Sequence, residues 1–474
     1  MDDIKSSGDL TEGPIFKSLI TLAVPIIFAN ILQSAYQLID TFWVGRLGQE
    51  AVAAVSISFP VIFLLISFGG GLAIAGTILV SQYEGKGDKR NVNYVSAQTM
   101  LMLLVISVFL TIIGYYASPG LMRLMGAEPD VFLGAVSYLR ISFLGLIFMF
   151  AYFVFQSLMR GVGDVKTPMY LVFVTVLLNL VFDPLFIFGY GPIPGYGVSG
   201  AALATVGTQG IAAVVGIYIL FSGKYGIKLS LKDMKPDINL INRMIRLGFP
   251  ASIEQSTRAL GLTVLTLLVA SFGTVIVAAY GIGSRILSFV IIPALGLSMA
   301  TSTLVGQNIG AGKVNRAEEV AKVSGWIGFI SLTLVGIIIY FLAEPLSAFF
   351  IPGETEAISS SALFIKIMAL SFGFMGIQQV LTGAFRGAGD TLIAMILAIV
   401  SLWVLQFPLA YILSQDTVLA EQGIWWAFPV TNIIGAFISI AYFMKGNWKD
   451  HRVTEDVRIS EQIKEESIVE EGIM

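Results

Sequence analysis

The stretch "GLAIAGTILVSQYEGKGD" (residues 71–88) returns as "GLSMATSTLVGQNIGAGK" (residues 296–313), pairing Gln82 with Gln307 and Gly85 with Gly310. The echo extends well beyond these eighteen positions. "TLAVP" around Pro25 matches "RLGFP" around Pro250, and "RGVGD" at 160–164 matches "RGAGD" at 386–390. Further on, "GVSGAALAT" ending at Thr205 matches "GIWWAFPVT" ending at Thr431. One half of the chain therefore repeats the other at an offset of about 225 residues.

What is repeated is hydrophobic. Of 474 residues, 56% are hydrophobic and only 12% charged, and the mean hydropathy is +0.84. An ordinary soluble protein carries about 25% charged residues, so the solvent for much of this chain is lipid. Apolar stretches of the length needed to cross a bilayer, about 20 residues each, fall near 16–41, 51–80, 94–116, 131–158, 168–190, 197–221, 242–270, 274–306, 320–343, 357–384, 391–414 and 423–445. The expected fold is an all-α integral membrane protein of about twelve transmembrane helices in two pseudo-symmetric six-helix lobes. Six is even, so both copies enter the membrane from the same side. That makes a parallel repeat, related by an axis along the membrane normal. The expected organisation is a polar N-terminal segment (1–15), an N-lobe (16–221), a basic linker (222–241), a C-lobe (242–446) and a charged tail (447–474).

The polar, acid-rich start "MDDIKSSGDLTEGP" precedes an apolar segment long enough to span, which reads as a first transmembrane helix rather than a signal peptide. Lys and Arg crowd into alternate loops, with Arg46 and Arg123 the main exceptions. The positive-inside rule then puts both termini in the cytoplasm. The glycine-rich EGKGD and RGxGD loops read as helix-ending turns, since neither stands between a strand and a helix as a phosphate loop must. The tail, acidic toward its end ("EQIKEESIVEEG"), reads as a solvated tail or a loose surface helix.

Within the spans, the acids decide the chemistry. In "LLNLVFDPLFIFGYG" (177–191), Asn179 and Asp183 are one helical turn apart and Pro184 follows the acid. Asp40 lies in the outer part of the first span. The repeat acts as an internal control: Asp40 aligns with Leu265, Asp183 with Phe407 and Asn179 with Trp403. The architecture does without both acids in its second copy. Counting about 1.5 Å per residue along each span, Asp40, Asp183, Thr205 and Tyr138 fall at similar depths in the outer half of the N-lobe. A carboxylate there costs at least ~2.5 kcal/mol unless it meets water, a cation or a proton. Two close carboxylates resist ionising together, so the pair is read as a cation switch serving a proton or, through carboxylate, amide and hydroxyl oxygens, sodium. Against this stand two structural readings: Asp40 snorkelling outward, and Asp183 merely starting a kink at Pro184. Glu254 and Arg258 are also one turn apart; they read as a structural pair or as a second cation or substrate site.

The segments "AVPIIFANILQSAYQLIDTFWVGRLG", "GGGLAIAGTILVSQYEGKGD", "LMRGVGD" and "LNLVFDPLFIFG" resemble the multidrug and toxic compound extrusion (MATE) family, in particular its prokaryotic DinF-like branch. The resemblance covers residues 16 to 446. It implies a V of two six-helix lobes whose central cleft opens alternately to either side. It also implies export of amphipathic, often cationic organic compounds in exchange for protons or sodium. Carried over, it assigns Asp40, Asn179, Asp183 and Thr205, with Tyr138 beside them, to a cation network that includes the possible sodium site. Gln33, Tyr36 and Gln156 match positions near the substrate cavity, and Pro25 the point where the first helix bends. The C-lobe acids of another branch have no counterpart: the tenth span carries Gln378 and Gln379 instead.

These readings converge on a secondary antiporter in the cytoplasmic (inner) membrane of a prokaryote, functional as a monomer, with membrane lipid around it and no resident cofactor. The alternative is a lipid-linked oligosaccharide flippase of the same superfamily, which calls for a more cationic cavity than Arg140, Arg258, Arg285 and Lys366 supply. No basic patch suggests nucleic acid. An enzyme is not expected, because the chain has no Cys and its one His, His451, lies in the tail.

Overall fold

A computed structural model describes residues 10–451 and 453–454. The first nine residues and the acidic stretch 461–472 lie outside the described residues. The first half of the chain forms α1 (Ile15–Gly45), α2 (Gln49–Gly85), α3 (Lys89–Leu124), α4 (Pro129–Gly161), α5 (Lys166–Phe188) and α6 (Val198–Ser222). A two-residue antiparallel pair, β1 (Gly189–Tyr190) with β2 (Ile193–Pro194), joins α5 to α6. The second half forms α7 (Ile238–Ala270), α8 (Thr274–Gly310), α9 (Val314–Phe350), α10 (Thr355–Ala369), α11 (Phe372–Ala388), α12 (Thr391–Ile399), α13 (Phe407–Gln415) and α14 (Glu421–Lys445). α10 and α11 are two arms of one span bent by 54°, and a π-helical stretch at 400–406 joins α12 to α13 in another.

Among the described residues, eleven spans are long and apolar enough to cross a membrane when the bent pair is counted once. α7 is the twelfth by length and packing. It falls short in apolarity because Arg243, Arg246, Glu254 and Arg258 lie along it. The glycine-rich loops do end helices: α2, α4, α8 and α11 stop at Gly85, Gly161, Gly310 and Ala388, and Gly87, Gly163, Gly312 and Gly389 follow at positive φ. Asp88 and Asp390 then accept hydrogen bonds from Asn91 N and Ile393 N at the starts of α3 and α12.

The two copies of the opening stretch form the seam between the lobes. Residues 71–84 of α2 and 296–309 of α8 are almost continuously buried, whereas the earlier halves of both helices are not. Four glycines in two symmetric pairs make close contacts across it. A methyl on Gly85 would overlap the Gln307 carbonyl, and one on Gly310 would overlap the Gln82 carbonyl; Gly71 abuts Ser252 as Gly296 abuts Ile27. The seam therefore closes at the ends of α2 and α8 nearest the chain termini, and the helices diverge toward the opposite face. That is the V.

Each lobe's first helix starts against the other lobe. Leu19, Leu22, Ala23 and Ile26 of α1 pack in a core with Leu297 and Leu304 of α8 and Val320 of α9. Leu240, Met244 and Leu247 of α7 pack in the N-lobe core. Both helices change partners near Pro25 and Pro250, after which Tyr36 joins the N-lobe core and Leu265 and Val269 the C-lobe core. α1 and α5 are continuous helices through Pro25 and Pro184. The basic linker is packed rather than loose: the Gln98 amide of α3 donates to the Asp233 and Lys235 carbonyls, both at 2.6 Å.

Candidate cation-coupling site

α5 turns apolar Leu177, Leu180 and Val181 outward, which leaves Asn179 and Asp183 on the inner face, both 0% exposed. Asn179 Nδ2 donates to Asp183 Oδ1 at 2.8 Å. The second carboxylate oxygen, Asp183 Oδ2, and Asn179 Oδ1 are buried without a hydrogen-bond partner, as is Asp40 Oδ1 on α1. Asp40 and Asp183 are close enough to act on each other electrostatically, and buried Tyr138 of α4 is within reach of both acids and of Tyr36.

Tyr36 lies one turn before Asp40. Its hydroxyl is 2.7 Å from Thr208 Oγ1, which donates its own proton to the Thr205 carbonyl at 3.0 Å. A threonine hydroxyl has one hydrogen, so Tyr36 is the donor of this pair. The structure thus gathers Asp40, Asn179, Asp183, Tyr138, Tyr36 and Thr205 in one region, with Tyr36 beside the acids rather than apart from them. Gln33 is exposed, Gln156 half-buried, and neither hydrogen-bonds to the acids. Pro25 lies four turns from Asp40 along α1. Thr208 was not foreseen, although its spacing from Thr205 puts the two on one face of α6.

Chemically the site is acidic and oxygen-rich. Among the described residues, neither Asp40 nor Asp183 has a Lys or Arg partner, in contrast to Glu254, which binds two arginines. The oxygens of Asp40, Asp183 and Asn179 that lack a donor suit a hard cation, and a proton on either carboxylate suits them equally. The C-lobe offers no such pair. Its counterpart of the Asn179–Asp183 turn is the π-helical stretch around Trp403.

Twin lobes around a central cleft, with an acid pair that lacks basic partners in one of them, define a multi-pass membrane transporter. The chain belongs to the MatE family, whose model matches it twice, over residues 25–185 and 250–412, one match in each copy of the repeat. It is 32% identical to the "Probable multidrug resistance protein YoeA" of Bacillus subtilis over 93% of this chain and 96% of that one. It resembles MATE crystallised in the bent conformation (TM-score 0.87, 25% identity) and in the straight conformation (TM-score 0.85, 26% identity). Each comparison covers 94% of this chain and 98% of that one. The protein is a multidrug-efflux-type transporter and not an enzyme. Relatives named for drug resistance give the oligosaccharide-flippase alternative no support.

Proposed function

We propose that the chain is a secondary antiporter that exports amphipathic, often cationic organic compounds in exchange for protons or sodium. One observation carries this reading: Asp183, fully buried, and Asp40, half-buried with its Oδ1 sealed from solvent, stand without basic partners and in one lobe only. Uncompensated charge at that depth is costly, and the second copy folds without it. Its return is function: neutralising the pair by an external cation changes what α1 can pack against. α1 is held by the C-lobe before Pro25 and by the N-lobe after it. It is the element through which occupancy of the acids reaches the seam. The bent and straight forms of MATE support a two-state element of this kind. The transporter acts as a monomer in a prokaryotic cytoplasmic membrane, with both termini in the cytoplasm, as the loop charges favour.

The test is purified protein in liposomes loaded with a fluorescent organic cation, with a pH gradient and a sodium gradient imposed separately. Movement driven by one gradient and lost in Asp183→Asn supports the reading and names the ion. Folded protein that moves the dye under neither gradient sinks it.

A further inference from the structure

The C-lobe holds a second buried charged cluster with the opposite sign. Glu254 of α7 is 0% exposed and lies against Arg386 of α11, which donates from Nε to Oε2 at 3.0 Å and from Nη2 to Oε1. Arg258, one turn further along α7, donates through Nη2 to the same Glu254 Oε1 at 3.1 Å and to Gln379 Oε1 at 3.0 Å. Two guanidiniums share one carboxylate, so the cluster carries an excess positive charge. Arg386 already engages both oxygens of Glu254, and the excess falls on Arg258. Its Nε and Nη1 donors meet no acceptor among the described residues, and its side chain is 33% exposed.

The repeat says where that exposed part lies. Pro250 corresponds to Pro25, and by the same step Arg258 corresponds to Gln33 and Glu254 to Ala29. Copies related by an axis along the membrane normal keep equivalent residues at equal depth. Arg258 therefore stands on the C-lobe at the level that Gln33, exposed on α1, holds on the N-lobe. Ionisable groups within spans face the bundle interior or a water-filled cavity, and here that cavity is the cleft between the lobes.

We propose that Arg258 is an anion contact for the transported compound, one that takes a carboxylate or phosphate group on an otherwise amphipathic molecule. Glu254, Arg386 and Gln379 are its positioning residues: Arg386 fixes Glu254, Glu254 and Gln379 take the hydrogens of Nη2, and Nε–H and Nη1–H remain as separate donors, each for one oxygen of an anion. The cleft then has an acidic N-lobe wall for the coupling cation and a cationic C-lobe wall for the substrate's acidic group. The class this selects is zwitterionic or acid-bearing amphiphiles. The inference rests on the cleft being the transport pathway.

The experiment uses two dyes that differ in one group: rhodamine B, with a free carboxylate, and its ethyl ester. Binding to purified protein is followed by fluorescence polarisation, and transport in proteoliposomes under the proton and sodium gradients. Wild type is expected to bind the acid at least fivefold more tightly than the ester. Arg258→Gln is expected to weaken the acid tenfold or more and to leave the ester within twofold, with Arg258→Lys in between. Glu254 keeps Arg386 in each variant, and retention on size exclusion reports the fold. Equal affinity for the two dyes in wild type, or an equal loss of both in Arg258→Gln, overturns the proposal. Gradient-driven transport of the ester alone leaves the antiporter reading standing and removes this one. Transport of neither dye under either gradient removes both.

Discussion

Asp183 shows how a single side chain separates function from fold. It is buried, holds one hydrogen bond from Asn179 and leaves its other oxygen without a donor. Asparagine has nearly the same shape and no charge. Asp183→Asn is therefore expected to keep or slightly raise the thermal midpoint, since the cost avoided is at least ~2.5 kcal/mol on the lenient insertion scale. The same variant should lose gradient-driven export while still binding dye. A variant that transports like wild type would remove Asp183 from coupling. Tyr36→Phe is a milder probe. It deletes a donor to Thr208 worth about 1 kcal/mol, and is expected to weaken the half-saturating concentration of the coupling ion severalfold with little effect on maximal rate. Flux measured against ion concentration checks this, and an unchanged ion dependence would leave Tyr36 a packing residue. The acids were legible in the sequence because the repeat supplies a copy without them. Thr208 and Arg386 were not legible as partners, because each meets its partner, Tyr36 or Glu254, across more than a hundred residues of chain. Arg386 also sits in RGAGD, a motif whose turn-forming role explains it well enough to hide the second.

At the scale of one element, α1 is where the two lobes are joined in series. Its first three turns are buried against α8 and α9, and its later turns against the N-lobe. Pro25 marks the changeover. Proline removes the hydrogen bond its nitrogen would give to the Thr21 carbonyl, so the helix is continuous there but easier to bend. Pro25→Ala restores the donor. It is expected to slow turnover severalfold or more while dye affinity stays within twofold. Single-turnover efflux and equilibrium binding, measured side by side, separate the two, and unchanged turnover would take the hinge away from Pro25. Helix count and order were readable from hydropathy alone. The crossing of α1 and α7 into each other's lobe was not, because periodicity says which face is buried and not against what. The bend between α10 and α11 and the π-helical turn at 400–406 likewise left no separate apolar gap to see.

At the scale of the whole molecule, the seam is symmetric in sequence and asymmetric in bonding. Gln82 Nε2 donates to the Gly387 and Ala388 carbonyls, both at 3.1 Å, and its Oε1 accepts from Val453 N at 3.0 Å. Its counterpart Gln307 donates to the Gly161 carbonyl at 3.0 Å, and its Oε1 has no partner. One of the two extra bonds, that from Val453 N, comes from the segment after α14. Buried Trp448, the Lys449–Glu318 pair at 2.6 Å and the His451–Asp390 contact at 3.7 Å fasten that segment to the C-lobe, so its end reaches across to Gln82. The N-terminal end crosses in the other direction: Lys313 donates to the Thr11 carbonyl at 3.1 Å and Arg316 to the Gly13 carbonyl at 2.8 Å. Opening the seam must break the bonds of Gln82 and Gln307. At about 1 kcal/mol per hydrogen bond, Gln82→Ala removes three and Gln307→Ala one, a difference of about 2 kcal/mol and, at 1.4 kcal/mol per tenfold, of more than ten in the closed-to-open ratio. The chain has no Cys, so labels can be placed uniquely. Spin labels at Gln49→Cys and Thr274→Cys, the equivalent starts of α2 and α8 on the far face, report the width of the V there. Gln82→Ala should add a shorter distance to the distribution, as the far face closes when the seam opens, and Gln307→Ala should add much less of it. Equal populations in the two variants would mean that the additional bonds of Gln82, including the one from the C-terminal segment, add nothing to closure.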